Sequence, residues 1–287
     1  MLTRSQLKAI FSEYGFRPLK RLGENYLIDK NIRDKIVSEA KVRADDTVLE
    51  IGPGLGALTE GLAASGARVL AVEKDRKVFA ALVGLIGDRY PGLALIHADI
   101  LKFDLSAAVA TGKVKLVGNL PYYITSPIIE YIIDNRSRIS SALITIQREV
   151  ANRLMASAGT KDYSSISCYV RYYTKPVYIH TINRTAFYPE PEVDSSLIKL
   201  EILEKPSVSV RDEAMLFRVV RGAFNQRRKS IMNSLSAGSG LNMPKEELIP
   251  ILDDADIDPS ARPETLSLDD FARITEAVTD FGRRMDA

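Results

Sequence analysis

Gly118-Asn119-Leu120-Pro121-Tyr122 sets an amide, a main-chain carbonyl ahead of a proline, and an aromatic ring side by side. These groups suit chemistry on the exocyclic amine of adenine. Such an amine is a poor nucleophile because its lone pair is delocalised into the ring, and a catalyst must draw the nitrogen toward tetrahedral geometry. The Asn119 side-chain oxygen and the Leu120 carbonyl offer two acceptors for its two hydrogens. Pro121 restricts the backbone so that this carbonyl points one way, and Tyr122 offers a flat face for an extruded base. Stacking of that kind contributes about 1 to 3 kcal/mol per base. The plainer reading is an Asn-Leu-Pro-Tyr turn at a strand end. No general base is required, since the methylated amine is weakly basic and its proton leaves to water. The group transferred must come from a sulfonium, whose positive charge makes the methyl electrophilic, so catalysis reduces to positioning and transition-state hydrogen bonding.

A site for that donor is written upstream. Glu50-Ile51-Gly52-Pro53-Gly54-Leu55-Gly56 sits between a strand-like and a helix-like segment, where a ligand approaches bare backbone and unpaired N–H groups. Alone, this loop serves a nicotinamide cofactor or a simple turn equally well. Glu73 follows Gly52 by 21 positions at the end of the next strand, suited to accept from both hydroxyls of a ribose. Asp99 ends the third strand, suited to accept from an adenine amine while Ile100 packs on the ring. Ordinary capping of strand ends is the alternative for both acids.

The elements that must position these residues alternate. Short apolar runs at 47–52, 68–73, 93–97, 114–118 and 142–146 are separated by helical stretches such as 57–65, 75–86 and 126–134, the pattern of a parallel, doubly wound sheet. Two further strands, 177–182 and 196–202, suggest an antiparallel edge. Beyond a linker at 204–210 the chain turns helical, over 213–235, 245–252 and 268–281. The expected domains are therefore 1–206 and a small all-helical domain at 207–287.

Hydrophobic residues at 46% and charged residues at 26% exclude disorder and a membrane class. No apolar run is long enough to cross a bilayer and no secretory signal is recognised at the start, so the cytoplasm is expected. The single cysteine, Cys168, excludes an internal disulfide, and with only His97 and His180 beside it no metal site is expected. The net charge of +2 hides a division: residues 1–244 carry 34 basic and 25 acidic side chains, and 245–287 carry 5 and 12.

Taken together, the motifs resemble the ribosomal RNA adenine dimethyltransferase family over nearly the whole chain. The resemblance rests on Gly23-Glu24-Asn25-Tyr26-Leu27, Glu50 to Gly56, Glu73, Asp99, Asn119 to Tyr122, and Phe187-Tyr188-Pro189-Glu190-Pro191-Glu192-Val193-Asp194-Ser195. It implies a Rossmann-like class I methyltransferase sheet and S-adenosylmethionine as donor. The target it implies is a pair of adjacent adenosines near the 3′ end of 16S ribosomal RNA in the small subunit or its precursor. It also implies that Asn25 and Leu27 contact the donor's methionine part, that Gly52 and Gly54 face its backbone side, and that Glu73 takes the ribose. Asp99 and Ile100 would take the adenine, Asn119 the edge shared by donor and target base, and Phe187 would stack opposite Tyr122. A hydrophobic anchor is the other reading of Phe187. Two positions depart from the family: Glu24 replaces a usual glutamine, which bears on donor closure, and Tyr123 replaces a small polar residue. Tyr123 would narrow the pocket against a second methylation, leaving mono- against dimethylation open.

Arg221 and the cluster Arg227-Arg228-Lys229 are read as lying on one helix whose apolar positions, Leu216, Val219, Val220, Phe224 and Ile231, face inward, a surface suited to RNA backbone. The stretch to Arg43 adds 10 basic against 5 acidic residues. The expectation is a monomer working on ribosomal RNA. The rivals are a large-subunit RNA methyltransferase of the macrolide-resistance type, a DNA adenine methyltransferase, for which no separate sequence-reading module is found, and an assembly factor for which methylation is secondary.

Overall fold

The structure is a computed structural model that describes residues 1–18, 24–226, 228–236, 241 and 243–285. Its central sheet has seven strands in the order β4-β3-β2-β5-β6-β9-β7. These are β2 Thr47–Ile51, β3 Arg68–Glu73, β4 Leu93–His97, β5 Val114–Asn119, β6 Ile139–Gln147, β7 Thr174–Ile182 and β9 Ser195–Ile202. The first five run parallel, and β9 runs antiparallel beside β6 with β7 outermost. Order reverses between β2 and β5, the switch point where doubly wound sheets open a crevice at their carboxyl ends.

The parallel strands read as near-continuous apolar runs because both faces are covered. Val48, Val69, Ala71, Val117 and Leu143 share a core with Ile36 of α2 (Lys30–Glu39) and Leu62 and Ala63 of α3 (Thr59–Ala63). The alternate residues Leu49, Leu70 and Leu116 are just as buried. Helix α4 (Arg76–Ile86) begins where Asp75 accepts from the N–H groups of Lys77 and Val78, the usual way an aspartate satisfies a helix start. Helix α1 (Arg4–Glu13), started by a Thr3–Gln6 capping box, packs Leu7, Ile10 and Phe11 against Leu55 and α4 residues Val78 and Ala81. A two-stranded ribbon, β1 (Tyr26–Leu27) with β8 (Phe187–Tyr188), pairs Leu27 with Phe187. Helices α5 (Leu105–Ala108) and α6 (Thr125–Asp134) complete this unit, which comprises Met1–Ala151 and Pro176–Ile202.

The second unit is Asn152–Lys175 with Leu203–Ala287. Besides the second half of α7 (Arg148–Met155) it holds α8 (Ser165–Tyr173), α9 (Glu213–Phe224), α10 (Ile231–Ser236), α11 (Lys245–Asp254) and α12 (Leu268–Met285). The segment from 152 to 175, which the sequence pattern groups with residues 1–206, goes with the helices. Its reason is aromatic: Phe217 of α9 lies 5.1, 5.3 and 5.9 Å, ring to ring, from Tyr169, Tyr172 and Tyr173 of α8. A second difference is local. The helix expected over 213–235 is broken: α9 ends at Phe224, the Asn225 N–H reaches the Arg221 carbonyl, and Lys229 N–H closes a turn on Gln226. Ser230 then takes the N–H of Asn233, starting α10.

Candidate active site

At the carboxyl edge of the sheet lies a cavity of about 660 Å³. Its wall includes Asn25, Leu27, Gly52, Gly54, Glu73, Asp99, Ile100, Asn119 and Pro121, so residues spread over nearly a hundred positions of sequence converge on one space.

The glycine loop needs its glycines. Gly52, Gly54 and Gly56 all have positive φ, and a Cβ on Gly54 would sit 3.3 Å from the Tyr26 ring. The Gly54 N–H donates to Glu73 Oε2 at 3.2 Å and the Asp75 N–H to Oε1 at 2.9 Å, so both carboxylate oxygens face donors in the two loops that meet here. Burial pushes the Glu73 carboxyl above its ordinary value, against those hydrogen bonds. Asp99 does two things: its Oδ1 caps the following turn by accepting from Leu101 N–H at 3.1 Å, and its Oδ2 pairs with Lys74 at 2.8 Å. The Lys74 hydrogen bond, opposed by partial burial, holds this carboxyl below the usual range.

Asn119 ends β5. Its Nδ2 donates to the Asn25 carbonyl at 2.9 Å, and since a carbonyl only accepts, this contact settles which end of the amide is nitrogen and leaves Oδ1 as the acceptor. The Leu120 N–H is tied to the Thr145 carbonyl at 3.0 Å and its side chain is buried. The carbonyls of Pro121 and Tyr122 accept from Ile124 N–H or the Thr125 hydroxyl, whereas no described residue donates to that of Leu120. Tyr122 is half-buried, and its hydroxyl is 3.0 Å from Ser195 Oγ. Three expected residues lie off the cavity wall: Leu120 and Tyr122 adjoin it through their neighbours Asn119 and Pro121, and Phe187 is 1% exposed, closed into the core with Leu27, Ile36 and Leu197.

Three wall residues have no role in the sequence reading. Glu50, 1% exposed, carries an oxygen with no described partner, and burial raises its carboxyl to about 8. A carboxylate inside the run Thr47–Ile51 is the signal that marks it. Lys74 pairs with Asp99, and Tyr26 is driven upward by burial and then by the nearby acids Glu24, Glu73 and Asp75. Tyr123, flagged as a departure, is on the wall and 49% exposed. Of the basic cluster, Arg221, Arg228 and Lys229 are exposed. Arg228 and Lys229 lie in the turn after α9 and not on a helix, because the helix has already ended at Phe224. Gly23 and Arg227 lie outside the described residues.

A doubly wound sheet with a glycine loop, strand-end acids and an Asn-Leu-Pro-Tyr segment around one cavity defines a class I methyltransferase. The chain belongs to the ribosomal RNA adenine dimethylase family, whose model matches residues 15–280. It is 44% identical to a ribosomal RNA small subunit methyltransferase A of Moorella thermoacetica, over 96% of this chain and 98% of that one. It is 40% identical to the protein of the same name in Alkaliphilus metalliredigens, over 97% and 98%. Among solved structures, a dimethyladenosine transferase from Plasmodium falciparum superposes with a TM-score of 0.77 at 25% identity, covering 90% of this chain and 98% of that one. The 23S rRNA methyltransferase ErmE gives 0.69 at 24% identity, over 89% and 100%, and shares the fold.

The family's methyl donor is S-adenosylmethionine. The cavity fits it: the volume accommodates a nucleoside with an amino-acid arm, the loop glycines leave backbone bare, and one carboxyl oxygen of Glu50 beside them has no described partner. Among the described residues no group of histidine, cysteine or acidic side chains is arranged to hold a metal ion, and no helix is long and apolar enough to cross a membrane.

Proposed function

We propose that the protein methylates the N6 amine of two adjacent adenosines near the 3′ end of small-subunit ribosomal RNA, as part of ribosome assembly in the cytoplasm. The observation that carries this reading is the Asn119 amide, oriented by the Asn25 carbonyl on the wall of the same cavity as Gly52, Glu73 and Asp99. In that setting S-adenosylmethionine supplies a methyl group made electrophilic by a cationic sulfur. Asn25, Leu27, Gly52 and Gly54 line the part of the wall that would take its amino-acid arm, Glu73 the ribose, and Asp99 with Ile100 the adenine. Asn119 Oδ1 and the Leu120 carbonyl accept the two hydrogens of the target amine and bring its nitrogen toward tetrahedral geometry, an interaction strongest in the transition state. Tyr122, held by Ser195, gives the stacking face. Phe187 could stack only by leaving its core, so we assign it the anchoring of the ribbon that carries Leu27.

The small-subunit reading is favoured over the large-subunit one by the names of relatives at 40 to 44% identity, whereas the likeness to ErmE is one of fold. Incubation with labelled S-adenosylmethionine and unmodified small and large subunits, followed by mapping of the labelled nucleosides, tests it. Label in dimethyladenosine at two neighbouring small-subunit positions is expected. Label only in large-subunit RNA, or none, rejects the reading, and monomethyladenosine alone would assign Tyr123 the limiting role.

A further inference from the structure

Lys74 directly follows Glu73, and its ammonium meets Asp99 Oδ2 at 2.8 Å. The pair is built from the backbone outward. His97 Nε2–H donates to the Lys74 carbonyl at 3.2 Å and Ala98 N–H to the Glu73 carbonyl at 3.0 Å, tying the ends of β3 and β4 together beneath it. Both side chains are on the cavity wall, Lys74 61% exposed and Asp99 23%. An ion pair this open to water contributes little to folding. Its place at the cavity points to a different use.

Each Asp99 oxygen has one described partner, the Leu101 N–H at Oδ1 and the Lys74 ammonium at Oδ2. A carboxylate oxygen accepts two hydrogen bonds, so one direction remains on each for a ligand. When a base covers Asp99, water leaves the carboxylate, and an anion left with only neutral donors is costly to bury. We propose that Lys74 is a positioning residue for the adenine end of the donor site, keeping Asp99 paired and aimed while the base displaces its water. Lys74 acts through Asp99 and makes no contact of its own with the donor. This rests on the reading of Asp99 as the adenine acceptor.

The test is a double-mutant cycle read as donor affinity. Equilibrium dissociation constants for S-adenosylmethionine are measured by calorimetry for wild type, Lys74→Met, Asp99→Asn and the double variant, with melting temperatures of the donor-free proteins confirming that each folds. Lys74→Met is expected to weaken binding about tenfold in the wild-type background and less than twofold when Asp99→Asn is already present, because no charge is then left to compensate. Lys74→Arg should restore affinity to within about threefold of wild type. Equal losses in both backgrounds, no loss, or tighter binding by Lys74→Met overturns the proposal. Wild-type binding of the analogue with hydrogen in place of the 6-amino group separates the two levels. If that analogue binds as tightly as the donor, the adenine reading of Asp99 falls and the proposal with it. If it binds more weakly while the cycle shows no coupling, only the role of Lys74 falls.

Discussion

Asn119 and Glu50 are both polar groups at the carboxyl ends of buried strands, yet their surroundings put them to opposite uses. Asn119 has its nitrogen satisfied by Asn25 and its oxygen left as an acceptor, the orientation that the proposed transition-state role requires. Asn119→Ala is expected to slow methyl transfer by roughly 10² to 10³ while donor affinity changes far less, as single-turnover rates and binding isotherms would show. Turnover near wild type would remove Asn119 from the chemistry. Glu50 is instead a buried acid that the fold keeps neutral up to about pH 8. The unfolded chain releases this proton near 4.5 and the folded one holds it, so folding stability falls as pH rises between those values, by about 1.4 kcal/mol per unit at most. Glu50→Gln has no proton to lose. Its melting temperature, measured without donor, should therefore exceed wild type by a margin that widens from pH 5 to pH 8.5, and a margin independent of pH would show that Glu50 does not titrate in this window.

At the scale of elements, the glycine loop turns between β2 and α3 only because three residues adopt positive φ. Gly56, at φ +85°, would also place a Cβ 2.9 Å from Ile86 Cδ1, the movable end of a side chain. Gly56→Ala is thus expected to cost about 1 to 2 kcal/mol, mostly from backbone strain, seen as a lower denaturant midpoint with an unchanged slope. An unshifted midpoint would mean the loop relaxes freely. This loop was legible because period and punctuation agree there: an apolar run, glycines, then helical spacing. The strands Arg68–Glu73 and Leu93–His97 fall where the sequence pattern puts them for the same reason. The break after Phe224 was not legible, since the apolar positions Leu216, Val219, Val220 and Ile231 keep a helical rhythm across a turn whose signals, Asn225 and Ser230, are weak. The membership of α8 was hidden differently. Its tyrosines serve either unit equally well as residue types, and only their packing around Phe217 decides. The cavity's donors and acceptors could be named from sequence, but the pairing of Lys74 with Asp99 could not, because it joins the ends of two strands through space.

For the whole molecule the decisive quantity is where charge remains unspent. Several of the acids after residue 244 are paired within the helical unit: Asp254 with Arg284, Asp270 with Arg273, and Glu276 and Asp280 with Arg211. Those ions are committed to structure. Arg221, Arg228 and Lys229 are exposed on the end of α9 and the turn beyond it. A basic turn can bring its side chains to a phosphate backbone as well as a helix can, since such contacts need charge and reach and carry no base identity. Each phosphate neutralised releases about 0.7 to 0.9 of a counterion, so losing three contacts should change the slope of log affinity against log salt by roughly 2 to 3. Replacing Arg221, Arg228 and Lys229 together with alanine is therefore expected to flatten the salt dependence of binding to small-subunit RNA by that amount. Affinity should fall most at low salt and converge with wild type at high salt, where the released counterions no longer contribute. Filter-binding or anisotropy titrations between about 50 and 400 mM salt measure it, spanning the range over which electrostatic binding collapses. A parallel displacement of the line, with its slope kept, would assign the loss to something other than phosphate contacts and take this surface out of the RNA interface.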